Sequence, residues 1–149
     1  MTVGKICNRE VVIVTPEKNL IEVAKLMREY HVGDVVVVDE RSGERMPVGI
    51  ITDRDIVLAI IASEVNLTDV VAGDIMTSDL LTARELDSIW DTLQRMRSHG
   101  VKRLPVVNDR DGLEGILSVN DFLELISEEL LALAQVARRQ QQREREKRG

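Results

Sequence analysis

Apolar and polar residues follow two periodicities along the first half of this chain. Residues 19–30 place apolar side chains at the three- and four-residue spacing of one helix face, and residues 35–38 are a continuous run of valines. The first pattern predicts an amphipathic helix, and the second predicts a strand covered on both faces. With a β-rich run at 11–15, a strand at 48–51 and a helix at 53–62, the predicted order is β-α-β-β-α.

The same order returns in the second half. Met96 follows Met27 by 69 residues and Gly115 follows Gly49 by 66, so one connecting loop is three residues shorter in the second copy. A shift near half of the 149 residues indicates two copies rather than a long solenoid. We predict an α/β (α+β) fold of two pseudo-twofold related β-α-β-β-α repeats. The repeats should pack through their small sheets, because about 60 residues alone bury too little surface.

The repeats define the predicted domain boundaries. We assign residues 1–63 to repeat 1, 64–73 to a linker, 74–127 to repeat 2 and 128–149 to a C-terminal helix with a basic tail. Apolar residues of the last helix follow the alternating three- and four-residue spacing of a coiled-coil seam. They are Leu123, Ile126, Leu130, Leu133 and Ala137. We expect more than 20 helical residues, frayed from residues 140–142 onward, that pack on a partner module.

Charge is unevenly distributed along the chain. Six basic and two acidic residues between Arg138 and Gly149 give this tail a charge of +4. The net charge of the whole chain is −6, so the remainder carries −10. An acidic body and isolated aromatic residues argue against nucleic acid as a partner. The basic tail offers at most a weak contact with an anionic partner.

The cysteine and histidine content restricts the chemistry further. Cys7 is the single cysteine, which excludes an internal disulfide, and with only His31 and His99 it supplies no zinc cluster. Cys7 stands where the second copy has Met76, which predicts a packing role. No apolar stretch approaches the roughly 20 residues that span a bilayer, and no basic-then-apolar leader opens the chain. We therefore expect a cytoplasmic protein without membrane contact and without a metal.

One seven-residue motif occurs in both copies, as Gly49–Asp55 and Gly115–Asp121: glycine, two apolar residues, a hydroxyl, two variable residues and aspartate. Thr52 and Asp55 have the spacing of a helix capping box, as do the serine and aspartate of the second copy. A helix start also offers free N–H groups to a phosphate, and an aspartate beside it can accept the hydroxyls of a ribose. The motif thus has two interpretations, a helix cap and a nucleotide site.

These residues resemble a tandem pair of CBS (cystathionine β-synthase) domains, also called a Bateman module. The resemblance rests on both motifs, on Gly73–Thr77 at the start of the second copy and on His99–Val107, and it covers roughly residues 1–127. It implies homodimerisation into a disc. It also implies clefts that bind an adenosine-containing effector such as AMP, ADP, ATP, S-adenosylmethionine or NAD.

The resemblance implies roles for individual residues. Asp55 and Asp121 would contact ribose with a hydroxyl residue beside each, and Lys102 and Arg103 would face nucleotide phosphates, where a fixed guanidinium is well suited. The candidate ligand-binding residues are Thr15, Thr52, Arg54, Asp55, Thr82, Lys102, Arg103, Pro105, Ser118 and Asp121.

Some of these roles have plainer alternatives. Thr15 and Thr82 would line the base pocket or only make strand-end hydrogen bonds, and Arg54 would point at a phosphate or be an exposed first-turn residue. In repeat 1, Gly33 and Asp34 replace the basic pair and a valine replaces the proline. An aspartate there would repel a phosphate, so we expect at most one well-formed phosphate site.

No catalytic constellation is recognisable: there is no activated serine or cysteine, no histidine pair and no phosphate loop of the Walker type. We predict no enzymatic activity and no catalytic cofactor. The predicted function is regulatory: an adenosyl ligand binds between the repeats and alters dimer geometry or contacts with a regulated protein of unknown identity. The alternative is an unliganded scaffold that acts through the C-terminal helix.

Overall fold

The predicted repeat order is present in both halves of the computed structural model, which describes residues 1–148. The first half comprises α1 (Val3–Ile6), β1 (Ile13–Val14), α2 (Leu20–Tyr30), β2 (Asp34–Arg41), β3 (Glu44–Thr52) and α3 (Asp53–Ile56). The second half comprises α4 (Ala72–Ile75), β4 (Ala83–Arg84), α5 (Ile89–His99), β5 (Arg103–Val107), β6 (Leu113–Ser118) and α6 (Val119–Arg148). The predicted mixed α/β class is confirmed.

Each half contains a three-stranded sheet, ordered β1-β2-β3 in the first and β4-β5-β6 in the second. The first two strands are parallel and the last two antiparallel in both sheets. The β2–β3 hairpin turns through Ser42 and Gly43, both with positive φ, as a two-residue hairpin requires. Its register pairs Asp34 with Thr52, so the start of β2 lies beside the end of β3.

The leading helix of each repeat packs on the other repeat. In α1, the N–H of Val3 donates to the carbonyl of Asp87 at 2.9 Å, and the Val3 side chain is fully buried in the core of the second half. In α4, the N–H of Ala72 donates to the carbonyl of Lys18 at 2.8 Å, and Ala72 is buried in the first core. Each hydrophobic core is therefore completed by the leading helix of the other repeat: α1 packs on the second half and α4 packs on the first.

A third apolar cluster joins the two sheets. Its buried members are Val36, Val38 and Ile50, and the partly buried residues packed on it are Val11, Ile13, Leu80, Leu113 and Ile116. Residues of both repeats meet here, as expected for two units that are too small to bury enough surface alone.

The helices after the two motifs differ in length and form. After α3 the chain continues as a π-helix (Val57–Ile61), and a 3₁₀ helix (Leu67–Asp69) follows in the connection. In contrast, α6 is 30 residues long and reaches Arg148, so the fraying expected from residue 140 is not observed. Glutamine, arginine, lysine and glutamate favour helices, and basic residues in the last turn suit the helix dipole. Gly149, the end of the assigned tail, lies outside the described residues.

None of the helices within residues 1–148 combines the length and apolar character that a bilayer crossing requires.

Candidate ligand-binding cleft

A cleft of about 250 Å³ opens between three segments that come from both repeats. They are the end of β3 with the start of α3, the chain after α4, and the start of β5. The cleft is lined by Ile50, Thr52, Asp55, Thr77, Asp79, Leu80, Leu81, Val101, Lys102 and Arg103. Four of the ten predicted ligand-binding residues therefore meet in one place, two from each repeat.

Thr52 and Asp55 form a complete capping box at the start of α3. The Thr52 hydroxyl accepts a hydrogen bond from the N–H of Asp55 at 3.1 Å, and Asp55 Oδ2 accepts from the N–H of Thr52 at 2.9 Å. An ionised carboxylate has about four acceptor positions, so the cap leaves capacity on Asp55 for a second donor. The cap and a ligand contact are compatible, and the cap fixes the orientation of the carboxylate.

Arg103 is paired with Asp34 of the other repeat. Arg103 Nε lies 2.9 Å from Asp34 Oδ2, and the two side chains are 34% and 24% exposed. Burial raises the pKa of Asp34, the Arg103 guanidinium offsets part of that rise, and the nearby Asp53 carboxylate adds to it. Asp34 was expected to repel a phosphate in its own repeat; in the structure it holds a cation of the cleft.

Lys102 differs from its neighbour. Its backbone carbonyl accepts a hydrogen bond from the N–H of Val119 at 2.9 Å. Its ammonium makes no ion pair with a carboxylate of the described chain, residues 1–148. Among residues 1–148, the cleft thus contains one cation without an ion pair, Lys102, and one paired cation, Arg103.

Six lining residues were missing from the sequence prediction, and two of them are polar: Thr77 and Asp79. Thr77 pairs with Ile50 through two backbone hydrogen bonds of 2.9 and 3.1 Å, which bring the chain after α4 to the edge of the first sheet. Thr77 is the last residue of Gly73–Thr77, the stretch that opens the second copy. Its place in that stretch was the sequence signal that could have identified it. Asp79 carries no comparable signal, because its place in the cleft depends on this long-range pairing.

The pseudo-twofold axis generates a second, equivalent position. There Asn8 pairs with Ile116 as Thr77 pairs with Ile50, with two bonds of 2.9 Å. Asp121 Oδ2 accepts from the N–H of Ser118 at 2.7 Å and from its hydroxyl at 3.1 Å, so the serine hydroxyl donates to the aspartate here. By the repeat alignment, Gly33 and Asp34 stand where the cleft has its two basic residues.

Six predicted residues lie outside the cleft lining. Ser118 and Asp121 occupy the equivalent position. The carbonyl of Thr15 accepts a hydrogen bond from the N–H of Lys18 at 3.1 Å, and the carbonyl of Thr82 accepts one from Arg95 at 2.7 Å. Both bonds are consistent with strand-end residues, and a role of either threonine at a ligand stays a prediction. Arg54 is exposed in the first turn of α3. It is not among the residues that line the cleft, although Asp55 of the same turn is.

Pro105 influences the cleft indirectly. It is buried in β5 opposite Ile116. At the equivalent place in repeat 1, the N–H of Val36 donates to the carbonyl of Val12 at 3.0 Å. Proline has no N–H to donate. The carbonyl of Leu81, a residue of the cleft lining, therefore lacks the strand-to-strand hydrogen bond that the Val12 carbonyl accepts in repeat 1.

Comparison with known proteins agrees with this geometry. Residues 3–62 and 72–128 each match the model of the CBS domain. The uncharacterized protein MK0525 of Methanopyrus kandleri is 34% identical over 84% of this chain, which covers 62% of that protein. The CBS domain-containing protein YhcV of Bacillus subtilis is 32% identical over 76% of this chain and 76% of its own length. This chain thus spans less than two thirds of the first relative.

A solved structure has the same architecture. The CBS domain pair of protein MJ0100, in complex with 5′-methylthioadenosine and S-adenosyl-L-methionine, superposes with a TM-score of 0.72. It is 26% identical, and the match covers 85% of this chain and 99% of that one. A pair of helix-exchanging repeats with a cleft at the strand ends is the architecture of a CBS domain pair. The chain belongs to the CBS domain family, as a tandem pair, and the resemblance inferred from its motifs is confirmed.

Proposed function

We propose that the chain is a non-catalytic sensor that binds the adenosine part of AMP, ADP or ATP in the described cleft. The observation that carries the proposal is the meeting of a capped aspartate from repeat 1 with a basic pair from repeat 2. Asp55 offers a fixed acceptor for ribose hydroxyls, and Lys102 and Arg103 offer charge for phosphates. The carbonyl of Leu81 is an acceptor suited to the amino group of adenine.

The proposal includes one phosphate-bearing ligand per chain. The equivalent position has Ser118 and Asp121 but carries Gly33 and Asp34 in place of the basic pair. A ligand there would bear less negative charge, and S-adenosylmethionine, which has no phosphate, is the compound to test at that position. The adenosyl compounds bound by the MJ0100 pair support this class of ligand.

We further propose that the protein acts as a cytoplasmic homodimer whose geometry, or whose contacts with a regulated protein, respond to the ligand. A coupling of about 1–3 kcal/mol between two arrangements suffices for such control. The cleft is formed by both repeats, so a ligand that bridges them can favour one arrangement of the sheets over another.

Thermal unfolding with millimolar AMP, ADP, ATP, S-adenosylmethionine and NAD tests the proposal. A ligand at 100 times its dissociation constant stabilises the native state by about 2.7 kcal/mol. We expect Asp55→Ala to abolish this gain. Asp121→Ala is the matched control, because it also removes a hydrogen bond to a helix-start N–H but lies at the other position.

Each other result has a defined meaning. Loss of the AMP, ADP or ATP effect in Asp121→Ala, with retention in Asp55→Ala, would indicate binding at the second position and contradict the proposal. No stabilisation by any of the five compounds would favour the second candidate function, a scaffold. The observation in favour of that function is the exposed apolar surface of α6, including Leu130 and Leu133, each more than 60% exposed.

A further inference from the structure

Most of α6 projects beyond the body of the molecule. Phe122 and Leu125 are its buried residues, and every residue from Ile126 to Arg148 is exposed. At a rise of 1.5 Å per residue this projecting part is about 35 Å long. It carries the large exposed apolar residues Leu130, Leu131, Leu133 and Val136. Helices gain most of their stability from packing of an apolar face. We therefore expect the exposed apolar face of α6 to pack against a partner.

The charge of α6 is separated along its length. From Val119 to Ala137 the helix has four acidic residues, Asp121, Glu124, Glu128 and Glu129, and no basic residue. From Arg138 to Arg148 it has six basic and two acidic residues. One part therefore carries −4 and the next carries +4, on the same helix that presents the apolar face.

We propose that α6 pairs with α6 of a second copy of this chain in antiparallel orientation. Antiparallel pairing places the acidic part of each helix against the basic part of the other, twice by symmetry. Parallel pairing would place acidic against acidic and basic against basic. A second copy supplies the complementary charge pattern by its own sequence, and a twofold interface of identical surfaces is the commonest form of association.

The apolar seam sets a register for this pairing. When Leu130 lies beside Leu133 of the second copy, Ile126 comes level with Ala137, and the seam residues cover one another. In the same register Glu124 comes level with Arg139 of the second copy. Glu128 then lies within one helical turn of Arg138, which a long arginine side chain spans. Apolar and charged residues thus favour one and the same arrangement.

This inference rests on the homodimer of the proposed function and is independent of ligand binding. Spin-label distances test the orientation in the full chain. In a Cys7→Ser background, single labels are attached after Ala132→Cys, at the crossing point, or after Gln142→Cys. We expect a short distance at position 132, set by helix axes 8–10 Å apart and by the labels. At position 142 we expect about 30 Å, from 21 residues of helix rise.

Short distances at both positions would mean a parallel pair, and the absence of dipolar coupling at both would mean no pairing through α6. Either result overturns the inference. Thermal unfolding and circular dichroism of the labelled proteins show that they are folded.

Charge reversal tests the complementarity by sedimentation equilibrium at low salt. The triple variants Arg138→Glu/Arg139→Glu/Arg143→Glu and Glu124→Lys/Glu128→Lys/Glu129→Lys should each raise the dimer dissociation constant at least tenfold. An equimolar mixture of the two should restore the dimer. The control Lys18→Glu/Arg28→Glu/Arg45→Glu reverses three exposed charges of the body and should leave it unchanged. A dimer insensitive to the α6 variants overturns the inference, while nucleotide stabilisation would still support the proposed function.

Discussion

Asp34 and Arg103 occupy equivalent positions in the two repeats and carry opposite charges, so they pair across the molecule. The pair is partly buried. The pKa of Asp34 is raised, because burial destabilises its ionised form more than the Arg103 guanidinium stabilises it. A nucleotide phosphate in the cleft has to share Arg103 with this carboxylate. For the proposed nucleotide site, Asp34 would therefore set part of the affinity for phosphate-bearing ligands although it does not line the cleft.

We expect Asp34→Asn to increase AMP affinity roughly five-fold at neutral pH, the factor for about 1 kcal/mol of a partly exposed pair. Affinity for adenosine, which has no phosphate, should stay unchanged. Asp34 keeps its proton at a higher pH than an ordinary aspartate, so the advantage of the variant should shrink as the pH falls through that raised pKa. Isothermal titration calorimetry measures both ligands. Asp39→Asn, which removes a carboxylate paired with Arg41, is the control and should leave both affinities unchanged.

The exchanged helices α1 and α4 determine which repeat a local change affects. Val3 opens α1 in sequence repeat 1 but packs in the core of the second half with Ala83, Ile89 and Leu104. Gly115 of β6 lies against the chain after α1, where an added Cβ would stand 2.8 Å from the backbone oxygen of Asn8. Glycine at this position therefore allows the chain after α1 to pack closely against β6.

We expect Val3→Ala to destabilise the protein by about 1–2 kcal/mol, in line with loss of buried methyl groups. Hydrogen exchange should accelerate first in β4–β6, although the substitution lies in the first repeat by sequence. Ala72→Gly in α4 is the reciprocal control and should act first on β1–β3, because Ala72 is buried in that core. Faster exchange in β1–β3 of the Val3→Ala protein would contradict the exchange of helices.

The elements and the repeat were predictable because periodicity and duplication are local in sequence. The run of valines at 35–38, the α2 face and the Thr52–Asp55 cap had direct signals, and the structure has each of them. At the second motif only half of the predicted capping box is present within residues 1–148, because the Ser118 hydroxyl donates to Asp121 and accepts no helix N–H. The exchange of α1 and α4 was not predictable, since a four-residue helix has too little pattern to indicate its partner sheet. The Asp34–Arg103 pair and the entry of Asp79 into the cleft likewise depend on how the two repeats meet.

At the scale of the whole molecule, the proposed ligand cleft and the proposed self-association surface lie in different regions. The cleft is formed by strand ends of both repeats, whereas the charge-separated helix projects from the second repeat. The two properties are therefore separable by truncation, which also tests the basic tail as a contact for nucleic acid.

A chain ending at Ala137 should keep the stabilisation by nucleotide and lose self-association at concentrations where the full chain is dimeric. Its acidic part then has no basic part opposite to it in a second copy. Thermal unfolding and sedimentation equilibrium measure the two properties on the same samples. If the full chain binds nucleic acid with a steep salt dependence that the truncated chain lacks, the tail is an anion-binding segment.

The exchange of leading helices also relates the duplicated chain to a dimer of single repeats. A polypeptide with a single repeat would leave its own core without a covering helix, and its helix without a core. Two such polypeptides would make these contacts by exchanging their leading helices, as in a domain-swapped dimer. Joining them by a short connection converts that bimolecular encounter into an intramolecular one, with an effective concentration in the millimolar range. The tandem chain therefore has the packing of a helix-swapped dimer whose two subunits are covalently connected.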